Sequence, residues 1–126
     1  MPDDSEVTRE TLAAFAATLG SMSQCRVDRG GDSTAWNRLV NELQRLQLDL
    51  RQTEEGRTGI SDLMDSDDAT VRTWCATFAL FWNESRAREV LQAEIAAEGM
   101  PGFESEIALR EFDAGRLNMT WQPSKG

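Results

Sequence analysis

Three carboxylate clusters, Glu54-Glu55, Asp65-Asp67-Asp68 and Glu104-Glu106, are the groups in this 126-residue chain whose types and spacing could do chemistry. Paired carboxylates serve acid–base catalysis when their environments push their pKa values apart, and clustered ones hold hard cations. The rest of the inventory argues against a catalytic centre. Histidine is absent, which removes the commonest general base, the commonest metal ligand and the usual partner of a serine or cysteine nucleophile. Tyrosine is absent too.

The run Asp65-Ser66-Asp67-Asp68 has a superficial likeness to a cation loop. A calcium loop, however, needs ligands at alternating positions, a central glycine and a distant bidentate glutamate. Here the acids lead straight into an apolar stretch, so Ser66 or Asp67 is expected to cap a helix with acids in its first turn. The glycines of GRTG (56–59) and GMPG (99–102) match neither the dinucleotide nor the P-loop pattern and are expected to be turns. Cys25 and Cys75 share no CxxC spacing and sit among apolar neighbours, so both read as reduced, buried hydrophobes rather than zinc ligands or a disulfide. No catalytic residue, metal or cofactor is expected; a carboxylate-based hydrolase is the minor alternative.

Tryptophan is abundant for the length, with four residues. Trp36, Trp74 and Trp82 lie on helical core stripes. Trp121 lies in a short polar tail without periodic context, and either docks into the fold or marks a patch for a partner.

The positioning elements follow from periodicity. Apolar residues make up 40 % of the chain and charged ones 28 %, ordinary globular usage, and the length fits one domain over 1–126. Strand-like alternation is absent, so an all-α fold of about five to six helices is expected. Val7, Leu12, Phe15, Ala16, Leu19 and Met22 form a stripe on a first helix, about 5–23, behind an Asp4 or Ser5 cap. Asp32 or Ser33 caps a second, with Trp36, Leu39, Val40, Leu43, Leu46 and Leu50 on its apolar face. GISDLM (59–64) suits one or two turns. The stretch from Val71 through Phe78 to Phe81 and Trp82 leaves little polar surface and is expected at the buried centre. A further helix runs from Asn83 or Ser85 to Glu98, with Ala87, Val90, Leu91 and Ile95 inward and Arg86, Arg88, Glu89, Glu94 and Glu98 outward. A last helix, about 103–114, buries Ile107, Ala108, Leu109 and Phe112, and residues 118–126 form a partly flexible tail.

DSDDATVRTWCATFAL followed by ESRAREVLQAEIA looks like one HEAT-type repeat, an acidic turn, Val71-Arg72, a small-residue-rich helix and a second helix carrying Val90-Leu91 and Ile95. With DSTAWNRLVNELQRL before it and GFESEIALREFDAGRL after it, the order of blocks over about 32–117 resembles the bacterial domain-of-unknown-function family numbered 2019. That resemblance implies a compact HEAT-like α-α bundle in which Arg72 serves helix stacking. It also implies a kinship with immunity proteins that neutralise polymorphic toxins by covering them.

Charge bears on the partner. The 22 acids exceed the 13 bases for a net −9, and all the bases but Lys125 are arginine. A polyanion would be repelled, so no nucleic-acid partner is expected, whereas a basic protein would be attracted. The plain alternative is that acidity only maintains solubility. No segment approaches the ~20 apolar residues of a membrane span, and MPDDSEV lacks a basic segment leading into an apolar run, so a cytoplasmic protein without a membrane role is expected. The expected function is non-enzymatic protein binding, as an immunity protein against a basic toxin domain, with a HEAT-like scaffold or adaptor as the alternative. The expected partner-contacting residues are Glu54, Glu55, Asp65, Asp67, Asp68, Glu104 and Trp121.

Overall fold

A computed structural model describes residues 3–27 and 33–123. Among them the chain is all-helical, with α1 Asp4–Val27, α2 Ser33–Leu50, α3 Glu54–Asp62, a 3-10 turn Leu63–Asp65, α4 Ala69–Ala79, α5 Glu84–Ala97 and α6 Met100–Asp113. No helix among the described residues is long and apolar enough to cross a membrane. The Asp32 cap, the Gly30-Gly31 break and residues 124–126 of the tail lie outside the described residues. Two compact units form, one from described residues within Met1–Gly59 and Thr120–Gly126, the other from Ile60–Met119.

In the first unit α1 packs on α2. The α1 start is capped by Asp3, one residue ahead of the expected pair, whose carboxylate accepts from the Glu6 amide at 2.7 Å. Phe15, Leu19 and Met22 are fully buried, while Val7 is 46 % exposed and Ala16 is also exposed. At 3.6 residues per turn Val7 and Ala16 lie about 90° to either side of the mean direction of Phe15, Leu19 and Met22, so the buried stripe is narrower than the apolar one. On α2, Leu43 and Leu50 are buried together with Gln44 and Gln47, two polar side chains that apolar periodicity does not select. The Gln47 amide donates to Gln44 at 3.1 Å, and the Gln44 amide donates to the Trp121 carbonyl at 2.9 Å. This hydrogen bonding satisfies groups whose burial would otherwise cost stability, and it ties the tail to the first unit.

Gly56 and Gly59 are not turn residues; both lie within α3. Thr53 caps that helix, its hydroxyl accepting from the Gly56 amide at 3.0 Å. A methyl on Gly56 would sit 1.9 Å from the Leu50 carbonyl oxygen, so this glycine is demanded by close backbone approach.

In the second unit α4 packs on α5, α6 and the 3-10 turn, and α5 packs on α6. Val71, Cys75, Ala76, Phe78 and Ala79 bury the inward side of α4, as its apolar density predicts. The helix stops at Ala79. Phe81 is consequently 41 % exposed rather than central, its ring set edge-on to Phe112 at 5.3 Å. Trp74 and Trp82 are half-buried, and the Trp82 indole donates to the Ser61 hydroxyl at 3.0 Å.

Glu94, expected to face outward, is buried. Its carboxylate accepts from Arg72 Nε at 2.7 Å, and the same guanidinium donates to the Ser66 carbonyl at 2.9 Å. Arg72 thereby joins α4 to α5 and to the turn ahead of α4. Arg88, also expected outward, is half-buried and donates to Glu84 at 2.8 Å and to Asp113, with its guanidinium 5.5 Å from the centre of the Phe112 ring. These carboxylates hold the Arg88 charge more firmly, and Arg88 holds the Asp113 carboxyl below its ordinary range.

Candidate protein-binding surface

The sequence-derived candidates divide between the two units. Glu54 and Glu55 lie exposed in the first turn of α3, where carboxylates complement the helix N-terminus, and Glu55 accepts from the Ser5 hydroxyl at 2.8 Å. Trp121 is half-buried and held through its carbonyl by Gln44. Asp65, Asp67, Asp68 and Glu104 belong to the second unit.

Two of those acids have structural work. Asp68, rather than Ser66 or Asp67, is the α4 N-cap, accepting from the Thr70 and Val71 amides at 2.8 and 3.4 Å, while Ser66 accepts from the Asp68 amide at 3.1 Å. The cap falls there because Ser66 closes the preceding 3-10 turn through its own amide, which donates to Leu63. No acid occupies the first turn of α4. Asp65 pairs with Arg86. Asp67 stays exposed and Glu104 half-buried. No group of three or more His, Cys, Asp or Glu among the described residues is arranged to hold a metal ion. Cys75 is fully buried and burial pushes its thiol up, which holds it in the unreactive protonated form, whereas Cys25 is only half-buried.

Grouping the charge by unit changes its distribution. Cut at residue 63, the sequence carries 11 acids against 7 bases and then 11 against 6, an even spread. Ile60–Met119 by itself holds 12 acids and 5 bases, net −7 of the chain's −9 in under half its length. Asp62, Asp67, Glu89, Glu98 and Glu106 of this unit are exposed and form no ion pair among the described residues. The first unit presents a different surface. On α2, opposite the buried Leu43, Thr34, Asn37, Arg38, Asn41 and Arg45 surround a depression of about 450 Å³.

The α5–α6 corner was not singled out by sequence. GMPG looks like a turn, yet α6 begins at Met100 with Pro101 in its first turn, where the missing amide costs nothing; that preference was the available signal. Gly102 is needed because a methyl there would lie 2.6 Å from the Glu94 carbonyl oxygen across the α5–α6 contact. Glu98 has φ 62° and ψ 174°, and Gly99 has φ 98° and ψ −176°, a region open to glycine and strained for a residue with a Cβ. Glu98→Gly is therefore expected to raise stability by about 1 kcal/mol, the relieved strain exceeding the added freedom of the unfolded chain. Urea unfolding measures this directly, and an unchanged or lowered midpoint would contradict the strain. Beyond the corner, Met100 is 58 % and Phe103 60 % exposed.

Comparison of the chain with protein-family models, with curated proteins and with solved structures gives no match.

Proposed function

We propose that this chain is a non-enzymatic, cytoplasmic protein-binding domain, an immunity protein that neutralises a basic toxin domain through an acidic surface. The observation that carries the reading is the concentration of charge in Ile60–Met119, net −7, with five exposed carboxylates that form no ion pair among the described residues. Such a field steers a basic protein in and repels nucleic acid. Asp67 is the sequence-derived candidate best suited to this use, since Asp65 is paired and Asp68 is committed to its cap. The test is co-expression with the toxin domain encoded beside the gene. Growth should be rescued, and complex formation should slow as salt rises toward a Debye length of about 8 Å. Failure to rescue, or association indifferent to salt, overturns the reading.

A further inference from the structure

Building on that reading, we infer that the α5–α6 corner is the anchor of the interface, with Met100 and Phe103 entering an apolar pocket on the partner that is ringed by lysine or arginine. Three independent features converge there. The first is direction. Gly102, Ser105, Ala108 and Leu109 form the buried face of α6, and at 3.6 residues per turn Met100, Phe103 and Ile107 lie on the opposite face.

The second is composition. Met100 and Phe103 are more than half exposed, whereas Phe78, Leu80, Ala87 and Leu91 of the same unit are 2 % exposed or less. Single exposed apolar residues are ordinary, but an adjacent Met and Phe supply the side-chain types enriched at interfaces. Carboxylates surround them. Glu106 flanks the stripe on α6 and Glu98 precedes it at the corner, both exposed, so a partner meeting the apolar pair also meets two acids. A basic rim around an apolar pocket is the complementary surface.

The third is backbone strain. Glu98 is the one described non-glycine residue with positive φ, and it sits two residues before Met100. Strained conformations concentrate at binding and switching sites, and here the strain directs the chain into the exposed end of α6.

The test uses the full chain and the purified toxin domain encoded beside its gene, with binding followed by surface plasmon resonance. Met100→Ser combined with Phe103→Ser should leave the thermal midpoint unchanged, as both side chains are exposed, and weaken binding by at least about tenfold, mainly through faster dissociation. Glu98→Gln with Glu106→Gln should slow association and flatten its salt dependence. Val7→Ser, which removes an exposed apolar group on α1, should change nothing. Undiminished binding by the Met100/Phe103 variant overturns the corner and leaves the immunity reading standing. No binding by the wild-type chain overturns both.

Discussion

Gly56→Ala is expected to cost at least about 3 kcal/mol, seen as a large fall in the urea midpoint. Alanine ordinarily improves a helix interior by about 1 kcal/mol over glycine. At Gly56 the new methyl would lie 1.9 Å from the Leu50 carbonyl oxygen, 2.6 Å from its carbon and 2.8 Å from its Cα. All three are backbone atoms at the end of α2, so no rotamer change relieves the clash and α3 must move away from α2. Gly20→Ala supplies the contrast within the same unit. Gly20 is exposed inside α1 with nothing within 4 Å of its missing methyl, so that substitution should raise stability by about 0.5–1 kcal/mol. Opposite signs for one chemical change in two helices would establish that backbone approach sets the cost. Equal effects would refute it.

Glu94→Ala is expected to cost about 3 kcal/mol, because it leaves the Arg72 guanidinium charged and deprived of its carboxylate between α4 and α5. Arg72→Ala removes the Ser66 contact as well and should cost as much or more. Replacing both residues with apolar side chains, Arg72→Met with Glu94→Leu, should recover most of the loss, since desolvating an ion pair offsets much of its attraction. A double variant no more stable than either single one would contradict this. Circular dichroism melts of the four proteins provide the comparison.

The Arg72–Glu94 pair also marks how far sequence reading reached. Ala87, Leu91 and Glu94 fall at i, i+4 and i+7, so periodicity places Glu94 on the buried stripe of α5 while its charge argues for solvent. The partner that reconciles the two lies 22 residues earlier in the chain. Gln44 and Gln47 pose the same problem on α2. Their burial depends on each other and, for Gln44, on a carbonyl 77 residues away. Among the candidate contacts, local pattern correctly marked Asp65–Asp68 as a capping segment but misplaced the cap, which is Asp68, and with it the acids, none of which enters the first turn of α4. The α5–α6 corner was missed because Gly, Met, Pro and Gly together resemble a turn, and a glycine demanded by a neighbouring backbone looks the same in sequence as one demanded by its own dihedral angles.

The helical character of this chain is determined locally. Heptad-like apolar spacing, the absence of period-two alternation and helix-capping acids act over a few residues, so all-α structure and most of its elements follow from the sequence by itself. The interior polar contacts and the unpartnered surface come only with tertiary structure, because each depends on groups brought together from distant positions. Arg72 meets Glu94, and Gly102 meets the Glu94 carbonyl, only once α5 and α6 pack against their neighbours. The grouping of charge is of the same kind. Equal halves of the sequence look alike, and the unit boundary at Ile60 is what assigns seven of the nine net negative charges to one folded body.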